Sequence, residues 1–113
     1  KAQDISGVPF LAMTRFTETG TGDTLALLSG IKPFMSEISF DHIETIESNR
    51  AAFEAAGMAL WKNTLDMASS GEWTDTVALA DPDKIWGRLI DAGISAIQTD
   101  QPAALKAYIE KRA

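Results

Sequence analysis

The segment Gly93–Pro102, with the sequence GISAIQTDQP, decides the fold expected for this chain. It begins with a glycine, continues as a short apolar run and stops in a polar Thr-Asp-x-Pro turn. Glycine commonly follows the end of a helix, and proline is favoured in the first turn of the next helix. The segment therefore predicts a strand between two helices, as in the last βα unit of a parallel sheet.

The same order of signals recurs nearer the N-terminus. Helices are expected to end at Gly30, Gly57 and Gly93, because glycine tolerates the left-handed backbone of a helix C-terminus. A strand-like run follows each glycine and closes on an aspartate, and a similar run precedes the series. The predicted strands are Val8–Phe16, Phe34–Phe40, Met58–Leu65 and Ile94–Thr99.

Helical patterns fill the intervals between these strands. Residues 44–56 place Ile46, Phe53 and Ala56 on one side and acidic side chains on the other, as in an amphipathic helix. Two further helices are predicted to begin at Asp81-Pro82-Asp83 and at Pro102. Their expected apolar stripes are Ile85, Trp86, Leu89 and Ile90 in the first, and Leu105, Tyr108 and Ile109 in the second.

The elements thus form four βα pairs, with an extra loop at residues 67–80. Such alternation predicts an α/β fold with a parallel sheet and crossover helices. Four pairs are half of an eight-stranded βα barrel, the TIM barrel, which typically needs about 250 residues. We expect residues 1–113 to form a single partial domain, the C-terminal half of such a barrel.

Composition argues against several classes of function. The formal net charge is −6 and the ten basic residues are scattered, which disfavours a surface that binds nucleic acid. The chain has no Cys for a disulfide or a thiolate metal site, and its apolar runs fall short of the roughly 20 residues of a membrane span. Lys1 is not a natural start, so we expect the native N-terminus to lie elsewhere and draw no conclusion about the cellular compartment.

Reacting groups in βα barrels lie at the C-terminal ends of the strands. Period-2 alternation separates the side chains that point into the barrel from those that pack against the helices. The helix-facing set is expected to be Ile38, Phe40, Met58, Leu60 and Ile97. The inward, mouth-facing set, which we predict to bind substrate, is Arg15, Glu37, Trp61, Asn63 and Gln98.

This inward set has a binding interpretation and a structural one. An arginine, a carboxylate and an aromatic platform can together bind a polar ligand with an anionic group. Alternatively, Glu37 and Arg15 pair with each other, and periodicity alone favours Trp61 as a core residue. Asn63 and Gln98 could equally support other ligand-binding groups through hydrogen bonds.

Other polar residues also have two interpretations. His42, the only histidine, could act in acid–base chemistry with Asp41, but a solvated turn is the favoured interpretation. Trp73 is either a lid over the barrel mouth or a buried aromatic that pins its loop. Asp81 and Asp83 could form a metal site, but Asp-Pro-Asp before a helix is ordinary capping. Asp66 and Asp100 are interpreted as turn or capping residues.

The segments Ala59–Asp66 (ALWKNTLD), 81–86 (DPDKIW) and Gly93–Pro102 together resemble the glycerophosphodiester phosphodiesterase family. That family is similar in ending with a Trp-bearing strand, a helix, a Gly-x-x-x-Ile-x-Thr-Asp-x-Pro segment and a terminal helix. The resemblance runs from Phe34 to the end of the chain. Trp61 matches the family's strand-end Trp, which lines the substrate pocket. Asn63 matches a Trp-x-Asn variant, where many members have Thr-Val-Asn after the Trp.

The resemblance implies a TIM barrel and metal-dependent hydrolysis of glycerophosphodiesters to an alcohol and glycerol 3-phosphate. The family's His-Arg, Glu-Asn-Thr, Glu-x-Asp and His-Asp motifs, which supply acid–base histidines and metal ligands, do not occur in this chain. The resemblance therefore implies a divalent ion, Ca²⁺ or Mg²⁺, held by the N-terminal half of a complete enzyme, and a chain that is inactive alone.

Two alternatives to this fragment of an enzyme remain. One is a non-catalytic half-barrel that pairs with a second copy or with another protein, because half a barrel leaves sheet edges exposed. The other is a different phosphate-handling βα barrel, which need not end in Thr-Asp-x-Pro.

Overall fold

A computed structural model describes residues 11–69 and 71–112 of the chain. It is an α/β structure with one four-stranded, all-parallel sheet in the order β1-β2-β3-β4. The strands are Leu11–Phe16 (β1), Met35–Phe40 (β2), Leu60–Asn63 (β3) and Ala96–Gln98 (β4). The predicted parallel sheet is confirmed with shorter strands, and the start of the predicted strand Val8–Phe16 lies outside the described residues.

Helices connect each pair of consecutive strands, as parallel pairing requires. They are Thr21–Ile31 (α1), Ile43–Ser48 (α2), Arg50–Ala55 (α3), Asp75–Ala80 (α4), Arg88–Asp91 (α5) and Pro102–Arg112 (α6). A π-helical segment, Asp83–Gly87, runs directly into α5. Among the residues that the structure describes, no helix is long and apolar enough to cross a membrane.

The single helix predicted over residues 44–56 is wrong, because two short helices meet at Asn49. The Asn49 side-chain amide donates to the backbone carbonyl of Thr45 at 2.8 Å. Asparagine side chains compete in this way for backbone groups that a continuous helix would use. Ile46 and Phe53 are buried as predicted, whereas Ala56 is exposed after the end of α3.

The predicted helix end at Gly30 is also wrong. Helix α1 continues to Ile31, and Lys32 takes the left-handed conformation with φ 51° while its N–H donates to Leu28 O at 2.8 Å. At the other two positions the prediction is confirmed. Gly57 and Gly93 have φ of 66° and 102° and follow the ends of α3 and α5.

The extra loop predicted at residues 67–80 contains helix α4 over its last six residues. Thr74 is its N-cap, and the Thr74 hydroxyl accepts a hydrogen bond from Val77 N at 3.4 Å. The sequence carried this signal as a Thr-Asp pair ahead of an apolar stretch, a typical helix start.

The chain divides into two compact units, Lys1–Trp61 and Lys62–Ala113. The described core of the first unit consists of Phe16, Leu28, Ile38, Phe40, Ile43, Ile46, Phe53, Met58 and Leu60. That of the second consists of Trp73, Ala78, Ile85, Trp86, Leu89, Ala92, Ile94 and Leu105. Four predicted core positions of this unit are not buried, since Ile90, Ile97 and Tyr108 are half-buried and Ile109 is 46% exposed.

Burial alternates along β2, where Ser36, Ile38 and Phe40 are buried and the residues between them are half-buried. On β1 only Phe16 is buried, and Met13 is 80% exposed. In the first unit one face of the sheet is therefore core and the other is open. The predicted helix-facing residues Ile38, Phe40, Met58 and Leu60 are buried, as expected.

Candidate functional site at the carboxyl ends of the strands

Glu37 lies at the centre of the open sheet face in the first unit. Its Cα pairs with Met13 of β1 on one side and with Trp61 of β3 on the other. Paired residues of adjacent strands point to the same side of a sheet. The register therefore places the side chains of Glu37 and Trp61 on one face, as predicted, and both are half-buried.

Arg15 lies near the end of β1 and forms an ion pair with Asp41, the residue directly after β2. Both side chains are more than half exposed, so water screens the pair and its contribution to stability is small. The structure thus gives Arg15 a partner that sequence reasoning did not consider. The arginine remains accessible at the carboxyl edge of the sheet.

His42 follows Asp41 and lies in an exposed turn before α2, as the solvated interpretation predicts. Its Nε2 atom is 3.7 Å from Oε1 of Glu18, in the turn after β1. This pair and the Arg15–Asp41 pair both connect the end of β1 to the end of β2. The first unit therefore has a cluster of ionisable side chains at its carboxyl edge, made of Arg15, Glu18, Asp41 and His42.

In the second unit the ends of β3 and β4 are neighbours. Thr64, directly after β3, donates its N–H to the carbonyl of Gln98, the last residue of β4, at 2.9 Å. Asn63 ends β3, is half-buried and accepts a bond from Leu65 N through its side-chain oxygen at 3.3 Å. Gln98 is exposed. Asn63 and Gln98, both predicted to bind substrate, thus end adjacent strands.

A buried carboxylate holds these two strand ends together. Asp75, the first residue of α4, is 3% exposed and accepts hydrogen bonds at 2.6 Å from the hydroxyls of Thr64 and Thr99. The Asp75 carboxylate also accepts the backbone N–H of Asp100 at 2.8 Å. Sequence reasoning missed Asp75, because it placed this residue inside a loop without secondary structure.

Asp66 acts as a distant cap of α4. Its carboxylate accepts the hydroxyl of Thr76 at 2.6 Å and the Thr76 N–H at 3.0 Å. These bonds favour the ionised form, so the Thr76 side chain and backbone lower the pKa of Asp66 below its ordinary value. The capping interpretation of Asp66 is confirmed, although the helix that it caps was not predicted.

Trp73 is 8% exposed, so the structure supports the interpretation of a buried aromatic that pins the loop after β3. Lys62 reinforces the same loop. Lys62 is 5% exposed, and its ammonium group donates to the Ser69 hydroxyl at 3.1 Å and to the Asn63 carbonyl at 3.0 Å. The loop that leads from β3 to α4 is therefore held by the Lys62–Ser69 hydrogen bond and by the buried side chain of Trp73.

Comparison with known families gives one match. The family model DUF4996, a domain of unknown function, matches residues 10–109. The chain belongs to this family. No curated protein and no solved structure matches the chain. The DUF4996 match covers the whole described sheet and nearly all of α6, so all the predicted site residues lie within the family domain.

Proposed function

We propose that this DUF4996 chain is the C-terminal half of a TIM barrel glycerophosphodiester phosphodiesterase and supplies groups that bind the substrate. The observation that carries the proposal is the open sheet face of the first unit, where Glu37 of β2 shares a row with Met13 of β1 and Trp61 of β3. A closed barrel has consecutive parallel strands as neighbours, helices outside and polar groups at the carboxyl ends of the strands. The strand order β1-β2-β3-β4 is compatible with that arrangement.

In this proposal Trp61 lines the substrate pocket and Glu37 binds hydroxyl groups beside it. Arg15 is the cation for an anionic phosphate, which would replace Asp41 as the partner of the exposed guanidinium. Asn63 and Gln98 add amide groups at the ends of β3 and β4. The substrate class is a small glycerophosphodiester.

The reaction needs a divalent ion, Ca²⁺ or Mg²⁺, which when bound neutralises the phosphate oxygens. Across residues 11–69 and 71–112, no three His, Cys, Asp or Glu side chains converge as a metal site. The proposal places the metal ligands and the acid–base histidines in an N-terminal half and assigns no catalytic step to this chain.

The first test is a titration of the isotopically labelled chain with glycerol 3-phosphate, followed by NMR. We expect shifts of the Trp61 indole and of the Asn63 and Gln98 side-chain amides. Trp86, which is 1% exposed in the second unit, serves as an internal control whose indole should not move. Shifts that are absent, or equal at Trp61 and Trp86, would contradict the proposal.

Two further experiments concern activity. The purified chain with Ca²⁺ or Mg²⁺ is expected not to hydrolyse glycerophosphocholine, since it has a single histidine. Hydrolysis would show that the assignment of catalysis to another half is wrong. In a complete enzyme, Trp61→Ala should lower substrate affinity or turnover, whereas Met13→Ala on β1 should change neither.

One observation favours the second candidate, a half-barrel that pairs with a copy of itself. Leu11 is 51% exposed and Met13 is 80% exposed on the open face of β1, and apolar surface of this kind commonly marks an interface. Light scattering distinguishes the two candidates. A dimer that Met13→Asp dissociates would support self-pairing, and a monomer at high concentration would exclude it.

A further inference from the structure

The two carboxylate oxygens of Asp75 have different partners. Oδ1 accepts the hydroxyls of Thr64 and Thr99, both at 2.6 Å, whereas Oδ2 accepts the backbone N–H of Asp100 at 2.8 Å. The backbone N–H of Asp75 also donates to Thr64 O at 2.7 Å. The Asp75 side chain is thus bonded to Thr64, the first residue after β3, and to Thr99 and Asp100, the first two residues after β4.

These bonds lie immediately beside two of the predicted ligand-binding residues. Thr64 follows Asn63, and Thr99 follows Gln98. Successive side chains of a strand point to opposite faces. Asp75 therefore holds the two strand ends from one side, while the side chains of Asn63 and Gln98 lie on the other.

Burying a carboxylate is costly unless donors replace its water. Asp75 meets this requirement, because its hydrogen bonds satisfy both oxygens in a site where the side chain is 3% exposed. An apolar side chain could fill the same space, but it could not orient three donors from two strands. The carboxylate therefore does more than fill space, because it fixes the orientation of the two strand ends.

We propose that Asp75 is a positioning residue, whose carboxylate sets the distance and orientation of the Asn63 and Gln98 amides at the carboxyl edge of the sheet. Asp75 is too buried to contact a ligand itself, so it acts through Thr64, Thr99 and Asp100. Only the identity of the ligand rests on the proposed function. The positioning of the two amides does not.

The test is Asp75→Asn in the labelled chain. An asparagine can keep Oδ1 for the two threonine hydroxyls, but its NH₂ group would face the Asp100 N–H, donor against donor. We expect the side-chain amide resonances of Asn63 and Gln98 to shift, together with the backbone resonance of Asp100. Asp66→Asn is the matched control, since it removes a carboxylate that also bonds to the first turn of α4 and should leave those three signals in place.

Thr99→Val tests the same inference if Asp75→Asn fails to fold. It removes one hydroxyl from Asp75 Oδ1, and Thr99→Ser, which keeps the hydroxyl, should restore the native signals. If the removal variant shifts the Asn63 and Gln98 amides no more than Asp66→Asn does, Asp75 does not position them. This outcome is independent of any ligand.

Affinity measurements distinguish a failure of this inference from a failure of the proposed function. Glycerol 3-phosphate should bind Asp75→Asn about fivefold more weakly than the native chain, which is the difference expected for one hydrogen bond. Its affinity for Asp66→Asn should equal that for the native chain. If the amides shift but the native chain does not bind glycerol 3-phosphate, the proposed function is wrong and the positioning role stands. Unchanged binding by Asp75→Asn with displaced amides would show that Asn63 and Gln98 are not ligand-binding residues.

Discussion

Gly87 lies directly beside the hydroxyl group of Tyr108, and a Cβ atom at position 87 would come within 2.4 Å of that oxygen. The same Cβ would lie 2.7 Å from Nη1 of Arg112. The Tyr108 hydroxyl donates to Asp83 Oδ1 at 2.6 Å and accepts from Arg112 at 3.0 Å. The missing side chain of Gly87 therefore allows α6 to bond to the π-helical segment.

Gly87→Ala should destabilise the protein although alanine is the better helix former. The backbone of Gly87, with φ −61° and ψ −45°, accepts any residue, so the cost comes from the displaced tyrosine. Loss of its hydrogen bonds costs about 1–2 kcal/mol, against a gain of about 1 kcal/mol from replacing glycine in a helix. We expect a small net decrease in the free energy of unfolding, measured by urea denaturation.

The Tyr108→Phe background provides the control for this substitution. After the tyrosine oxygen and the arginine nitrogen, the next atom near the added Cβ is Asp83 Oδ1 at 3.6 Å. Without the hydroxyl, Arg112 also loses the acceptor that holds its Nη1 atom beside Gly87. In this background Gly87→Ala should raise the free energy of unfolding by up to about 1 kcal/mol. The same loss in both backgrounds would show that the Tyr108 hydroxyl is not the cause.

Tyr108 also predicts a pH dependence. Burial, followed by the hydrogen bond that its hydroxyl donates to Asp83, raises the pKa of Tyr108 above its ordinary value. The folded state thus favours the neutral phenol, and this stabilisation is complete below the unfolded pKa of about 10. It is lost as the pH rises through the higher folded value.

The measurement for Tyr108 is straightforward, since the chain contains one tyrosine. Tyrosinate absorbance should show a midpoint above about pH 10 in the folded protein. The difference in urea midpoint between the native chain and Tyr108→Phe should shrink as the pH rises through that midpoint. Ionisation at or below the ordinary value would contradict the structural explanation.

The sheet could be predicted from the sequence because its signals are local. Gly57 and Gly93 mark helix ends, and the alternation in β2 places Ile38 and Phe40 in the core and Glu37 on the other face. In contrast, the helix break at Asn49 depends on a side chain that captures a carbonyl, which helical periodicity does not register.

The candidate site was harder to predict, because its contacts join distant parts of the chain. Arg15 pairs with Asp41, 26 positions away, and Asp75 accepts a bond from Thr99, 24 positions away. Residue types and strand faces identified Arg15 as a candidate, since a cation at a strand end is a local feature. For Asp75 the local sequence indicates only the start of a short capped helix. Its hydrogen bonds to Thr64 and Thr99 become visible only in the three-dimensional structure.

Asp66→Asn should destabilise the protein near neutral pH. The Thr76 hydroxyl and N–H lower the pKa of Asp66, so the ionised form is favoured in the folded state. The stabilisation is present above the unfolded pKa of about 3.9 and is lost as the pH falls through the lower folded value. The urea midpoint of Asp66→Asn should therefore lie below that of the native chain at neutral pH.

At strongly acid pH the native chain and Asp66→Asn should have the same urea midpoint, because the carboxyl group is then protonated in both folded and unfolded states. Asp23→Asn, on the exposed side of α1, is the matched control. A decrease in stability that is the same for both variants would indicate a general charge effect. A difference between native chain and Asp66→Asn that persists in acid would show that the carboxylate is not responsible.

Lys32→Gly should stabilise the protein. Lys32 ends α1 in the left-handed conformation, with φ 51° and ψ 62°, where a side chain costs about 1–2 kcal/mol and glycine costs little. Lys32→Ala is the matched control, because it loses the same charge but keeps a Cβ atom. Urea denaturation should give Lys32→Gly a free energy of unfolding about 1 kcal/mol higher than that of Lys32→Ala, after the greater flexibility of unfolded glycine is taken into account. Equal stabilities of the two variants would mean that the left-handed turn after Ile31 imposes no strain on the lysine.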